Sequence, residues 1–155
     1  KNAILEGLKN NNIDIIATDH APHTLEEKSS YYTNCPSGGP LIQHSLPLLL
    51  EMYHNKSLDL ETIVTKTSHN PSILFEIKDR GFIREGYYAD LVLFDLNSPW
   101  KVSDSILYSK CNWTPFKKET FKSKVIHTIV SGNHVFDNGI INKNLNSKRI
   151  EFERD

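Results

Sequence analysis

The sequence predicts an α/β fold in which a helical first half gives way to sheet. Three observations carry this. A helix, a turn and a buried strand follow one another over residues 3–18, helical patterning then continues from 40 to 78, and the period changes to that of strands beyond Gly81. The chain has 155 residues, with 18 Lys+Arg against 19 Asp+Glu, 38% hydrophobic and 24% charged residues and a formal charge of -1. Such a composition is that of a soluble globular chain. It supplies no basic footprint for nucleic acid, and no window approaches the roughly 18 consecutive apolar residues of a membrane span. Cys35 and Cys111 are too few for a disulfide framework and lack CxxC spacing, which favours a reducing compartment and hence the cytoplasm. The opening Lys1-Asn2-Ala3-Ile4 carries no initiator Met and no signal-peptide pattern.

Ala3, Ile4, Leu5 and Leu8 recur at helical spacing, and Asn10-Asn11-Asn12 stops the helix. Ile13-Asp14-Ile15-Ile16-Ala17-Thr18 is β-branched and apolar on both faces, the pattern of a strand buried in a parallel sheet. The polar stretch from Asp19 to Gly39 follows, and a loop of about twenty residues without secondary structure is usually functional. Pro40 is placed to open a helix through Leu41, Leu46, Leu50 and Tyr53 that Pro47 bends. Asp59 can cap a helix carrying Ile63 and Val64, and Asn70-Pro71 reads as a further helix start. Leu91-Val92-Leu93-Phe94-Asp95 is a strand, and residues 125–130 and 134–136 flank Ser131-Gly132-Asn133, with Gly132-Asn133 as a two-residue hairpin turn. The polar tail from Lys143 has only Leu145, Ile150 and Phe152 to anchor it.

The chemistry lies where the strand runs into Asp19-His20-Ala21-Pro22-His23. A carboxylate and two imidazoles emerge together at the carboxyl end of a buried parallel strand, which is where α/β barrels keep their catalytic groups. An Asp there can ligate a hard metal or act as a base, and an imidazole four residues on can orient an anion. Pro22 keeps His20 and His23 off a common helical face.

Residues 15–24, with Glu26-Glu27-Lys28, closely resemble the late barrel-strand signature of dihydroorotases in the amidohydrolase superfamily. The similarity continues through Pro36-Ser37-Gly38, Pro47, Asn70-Pro71, Leu74-Phe75, Gly81, Gly86 and Ala89-Asp90-Leu91-Val92, and again in Cys111-Asn112-Trp113-Thr114-Pro115-Phe116. It implies the last strand–helix units of a TIM-type (β/α)8 metal-dependent hydrolase barrel over residues 1–80, part of a small β-sandwich over 81–142 and a polar tail over 143–155. The implied reaction is the reversible hydrolysis of dihydroorotate to carbamoyl aspartate in pyrimidine synthesis. Asp19 would be the last metal ligand and the acid/base, moving a proton from the attacking water to the leaving amide nitrogen. His23 would bind the substrate carboxylate, and Ser37 and Gly38 the ring. Leu41-Ile42-Gln43-His44 departs from the Gly-x-Glu-Thr stretch of many bacterial dihydroorotases, which makes this a divergent branch.

The superfamily's other metal ligands are a His-x-His pair, a carboxylated Lys or an Asp, and two further His. They find no counterpart, since His44, His54, His69, His127 and His134 form no such pattern. Zinc is therefore expected only in an intact enzyme of which this chain is the carboxyl-terminal third, and the chain alone is expected to be inactive. The implied partners are the small-molecule substrate, with further copies of the chain or aspartate transcarbamoylase as assembly partners. Other cyclic amidohydrolases of the dihydropyrimidinase, hydantoinase or allantoinase kind, and a catalytically silent scaffold, remain alternatives. For the other residues the expectations are modest. His20 makes a supporting hydrogen bond, His44 is solvated or capping, His69 bounds a helix, and Cys35 is a small buried thiol. Trp100, Trp113, Phe94, Phe116 and Phe121 pack, and Asp90 and Asp95 serve the turns into and out of their strand.

Overall fold

The computed structural model describes residues 2–143 and 148–153. The first helix, α1 (Asn2–Lys9), ends where Asn11 takes a left-handed conformation (φ 57°), as the asparagine run predicts. Leu8 on α1 packs with Leu49, Leu58 and Ile63 in the main apolar cluster, and Ile13 and Ile16 lie against it. Residues 13–18 depart from the expected strand. They are not a strand of any sheet, because a strand exists only through a ladder and no other strand lies beside them among the described residues.

The extended segment is held by helix instead. Helices α4 (Leu60–Val64) and α5 (Asn70–Leu74) are joined through a π turn, Thr65–His69, whose flanking residues keep right-handed helical dihedrals, so the helix is continuous from 60 to 74. Asn70 therefore does not start a helix, and its side-chain Nδ2 donates to Asp14 O (2.7 Å). Within the π turn the Asn70 N–H reaches back five residues to Thr65 O. The same register would give the Lys66 carbonyl the N–H of residue 71, and that residue is Pro71, which has none. Lys66 O takes the Ile16 N–H instead (3.0 Å), while the buried Lys66 Nζ donates to Asn11 Oδ1 (2.9 Å). Three bonds thus fix residues 11–16 to one helix. Gly81 (φ 82°) closes the region, since a Cβ there would lie 2.3 Å from Ser72 Oγ.

Asp59 caps α4 as expected, its Oδ1 accepting the Thr62 N–H (2.7 Å), and the Thr62 side chain together with this bond holds its carboxyl below the usual range. Helix α3 (Ser45–His54) begins with a 3-10 turn over Ile42–His44, later than Pro40 suggests. Pro47 falls in its first turn, where a missing N–H costs no intrahelical bond, so no bend is needed. The loop before it is not wholly irregular, because Leu25–Lys28 forms the one-turn helix α2.

The second half carries a four-stranded antiparallel sheet in the order β1 (Leu91–Asp95), β4 (Lys124–Val130), β5 (Asn133–Asp137), β6 (Ile140–Ile141). A second sheet pairs β2 (Trp100–Lys101) with β3 (Thr120–Phe121). The β4–β5 turn is Ser131-Gly132, one residue earlier than the sequence suggests, with φ of 50° and 80° as a type I′ turn requires. Asn138-Gly139 makes a second such turn into β6, which the strand pattern does not predict. Asp95 serves its exit turn through the Asn97 N–H (2.8 Å). Asp90 serves the entry turn through its N–H on Tyr88 O (2.9 Å), while its side chain pairs with Arg80 and accepts the Ser131 N–H (2.6 Å), tying the segment before β1 to the hairpin. The tail is anchored by backbone bonds, Lys78 N–H to Glu151 O (3.0 Å) and Glu153 N–H to Glu76 O (2.8 Å), while Ile150 and Phe152 stay largely exposed. Leu145 lies outside the described residues.

The two halves meet at His44. It is neither solvated nor a side-chain cap but 1% exposed, among Trp100, Phe116 and Phe121 at ring-centroid distances of 6.1, 5.4 and 6.0 Å. Neither ring nitrogen has a hydrogen-bond partner, and burial pushes its pKa below the usual histidine value. Nearby, Gln43 Nε2 donates to Ile106 O (2.7 Å), His54 Nε2 meets Ser123 Oγ (2.7 Å), and Glu51 Oε1 accepts the Lys122 N–H (2.6 Å).

Two predictions follow from this packing. Pro71→Ala restores a donor for the Lys66 carbonyl, so the Ile16 amide should lose protection in hydrogen exchange more than its neighbours on α1. The unfolded chain protonates His44 more readily than the fold does, so this residue's contribution to stability is complete above about pH 6.5 and is lost as pH falls below it. His44→Leu should flatten that acid-side decline in urea unfolding, with stability at neutral pH unchanged or raised by up to about 1–3 kcal/mol as two orphaned polar atoms are removed.

Candidate active site

The extended segment ends at Asp19, whose φ of 46° is left-handed, a conformation that Asp tolerates better than most residues. Its carboxylate is exposed and, among the described residues, engages in no hydrogen bond or ion pair. The chain then docks on a second loop segment. His20 forms a parallel bridge with Gly39, the Ala21 N–H donates to Gly39 O (3.1 Å), and His20 Nδ1 accepts the Ile42 N–H (3.3 Å). That bond is the supporting role expected of His20.

Pro22 sits at the centre of a three-residue turn closed by the His23 N–H on Ala21 O (2.9 Å). Trp113 Nε1 donates to His23 O (2.7 Å), so an indole from the second half of the chain fixes the backbone of the candidate substrate-binding histidine. Thr24 and Glu27 form a capping box at the start of α2. The Thr24 bonds, with a smaller contribution from His23, hold the Glu27 carboxyl below its usual range, and Glu27 Oε2 lies 3.7 Å from His23 Nδ1. The imidazole therefore faces a persistent negative charge on one side.

Ser37 and Gly38 are exposed on the other loop. Gly38 has φ 86°, and a Cβ on it would lie 2.6 Å from the Cβ of Ala21, so only glycine permits this docking. Lys28 Nζ reaches across from α2 to Pro36 O (2.6 Å) and Gly38 O (3.2 Å). Asp19, His23, Ser37 and Gly38 are thus carried on two segments pinned together at 20–21 and 38–39. The sequence reading missed the parts of Lys28 and Trp113. Lys28 belonged to a resembling stretch without an assigned role, and Trp113 was read as packing alone. Cys35 is half-buried, with its Sγ 3.5 Å from Lys28 O.

A zinc centre generally needs at least three protein ligands. Among the described residues no such group forms around Asp19, and the one group of three His and carboxylate donors lies on the β4–β5 hairpin. Asp19 fits a single ligand of a metal centre, and these residues do not make the rest of one.

The sequence profile of the amidohydrolase family matches residues 1–135. The chain belongs to the amidohydrolase family. Members of this family are generally metal-dependent hydrolases. Among curated relatives, the dihydroorotase of Anaplasma phagocytophilum is 38% identical over 134 residues, covering 86% of this chain and 30% of that protein. That of Pyrococcus horikoshii is 40% identical over 139 residues, covering 89% and 32%. The chain therefore spans about a third of the length of these relatives. Among solved structures, a D-hydantoinase superposes with a TM-score of 0.82 at 16% identity over 90% of this chain and 32% of its own. The L-hydantoinase (dihydropyrimidinase) of Arthrobacter aurescens does so with 0.79 at 29% identity over 89% and 32%. The fold is that of part of a TIM-type amidohydrolase barrel leading into part of its β domain, as the sequence predicts. No helix among the described residues is long and apolar enough to cross a membrane.

Proposed function

We propose that the chain forms part of a dihydroorotase, a zinc-dependent hydrolase that interconverts dihydroorotate and carbamoyl aspartate. The observation that carries the reading is the docking of the Asp19–His23 loop on Ser37-Gly38, which sets a free carboxylate and an imidazole beside a glycine backbone. The division into barrel residues 1–80 and β-domain residues 81–142 belongs to the same proposal.

Asp19 accepts a proton from the water that attacks the ring carbonyl, and returns it to the amide nitrogen as the C–N bond breaks. In the reverse direction it takes the proton from that nitrogen as the ring closes. Its exposure and lack of other partners leave it able to do both. Zinc, held by Asp19 together with ligands elsewhere in the whole protein, would polarise the carbonyl. His23 binds the ring carboxylate, with its backbone fixed by Trp113 and its Nδ1 3.7 Å from Glu27 Oε2. The Ser37-Gly38 backbone meets the ring, held in place by the close approach of Ala21 that only glycine allows.

A second reading, a dihydropyrimidinase-like hydrolase acting on rings without a carboxylate, draws on the 29% identity to the Arthrobacter enzyme. The assay that separates the two compares dihydroorotate with dihydrouracil, which lacks the carboxylate, on the full-length protein. The expected kcat/KM is far higher for dihydroorotate, since a site built for an anion leaves its polar groups unpaired when the anion is missing. Asp19→Asn should lower turnover in both directions by at least about 10²–10⁴-fold. His23→Ala should lower kcat/KM for dihydroorotate by about 10–100-fold, as loss of a hydrogen bond to a charged group does, and leave dihydrouracil unaffected. Comparable or better kcat/KM on dihydrouracil overturns the dihydroorotase reading.

A further inference from the structure

Outside that site, the β4–β5 hairpin gathers two imidazoles and a carboxylate. His127 on β4 pairs across the ladder with Asp137 on β5, and its neighbour on the same face, Ile129, pairs with His134. Residues 134 and 137 are three apart, so in a regular strand their side chains would point to opposite faces. The register shifts between Thr128 and Ile129, leaving Val135 as an extra residue on β5. This bulge turns His134 onto the face of His127 and Asp137.

The donor atoms converge on His127 Nδ1. His134 Nε2 lies 3.0 Å from it and Asp137 Oδ1 3.2 Å, and all three atoms fall within 4.8 Å of one another. Bonds of zinc to nitrogen and oxygen of about 2.0–2.2 Å separate tetrahedral ligands by about 3.3 Å, so these spacings are close to two edges of a coordination tetrahedron. A single Nδ1 proton serves two acceptors poorly, whereas one cation can be shared by three donor atoms this close together. The Asn138 amide donates to the same Asp137 oxygen (3.3 Å), an outer contact of the kind that orients metal ligands. The group is open to solvent on one side, since the side chain of Asp137 is 56% exposed and that of His127 33%.

We propose that His127 Nδ1, His134 Nε2 and Asp137 Oδ1 form a binding site for one divalent transition metal of the zinc class, with solvent completing the coordination. Two nitrogens and one oxygen favour zinc, nickel or copper over magnesium or calcium, which prefer all-oxygen shells. The inference does not depend on the proposed reaction.

The test uses the full-length protein, equilibrated with zinc chloride and analysed for zinc per chain beside His134→Ala and Asp137→Asn. Each variant is expected to hold one zinc fewer per chain, with an affinity loss at the hairpin exceeding the about 10–100-fold that removal of an outer-shell partner costs. In the unsubstituted protein, zinc should shift the imidazole resonances of His127 and His134 together, and magnesium should shift neither. Equal zinc content in all three proteins, or ring resonances of His127 that zinc leaves unmoved, overturns the proposal.

Discussion

The candidate site depends on a carbonyl that its own helix leaves without a donor. Because Pro71 has no N–H, the π register of residues 65–69 frees Lys66 O, and that oxygen takes up the Ile16 N–H. Asn70 and the Lys66 ammonium add bonds at Asp14 and Asn11, so the approach to Asp19 is set by one helix. A regular α-helix through 60–74 would spend that carbonyl internally. The irregularity in the helix is therefore what turns it into a clamp for the segment that leads to the carboxylate.

A second constraint joins the halves of the chain. Trp113 reaches from the strand-rich half to the His23 carbonyl, and the aromatic cage of Trp100, Phe116 and Phe121 closes on His44 at the head of α3. The packing of the β region is thus coupled to the loops of the site. A buried histidine with two unsatisfied nitrogens costs stability at that junction. His44 sits among these rings, so the halves are joined there by packing of aromatic side chains rather than by polar contacts of the imidazole.

Legibility followed the range of the forces involved. Capping by Asp59, the end of α1 at the asparagines, β1 and the hairpin are local matters of side-chain geometry, and the sequence displays them directly. The motif around Asp19 likewise marks in the sequence the loop that docks on residues 38–39. The extended segment was misread because β-branched composition speaks to strand preference but not to whether a neighbour exists to pair with. Asn70-Pro71 looked like a helix start because a Pro at that place is usual there, and the π turn that lets a helix run through it leaves no local signature. His44 was expected in solvent because the rings that enclose it come from residues more than fifty positions away. The grouping of His127, His134 and Asp137 depends on a one-residue bulge, which no spacing rule applied to the sequence brings out.

The segment Ile13–Thr18 also bears on handling. It is rich in β-branched residues, and among the described residues it belongs to no ladder. Backbone of this composition that lies outside any ladder offers a place for other strands to pair, including those of identical molecules. The 155-residue chain expressed by itself would thus carry a seed for self-assembly directly beside Asp19, so the bonds that hold these residues to the helix are as much a solubility device as a structural one.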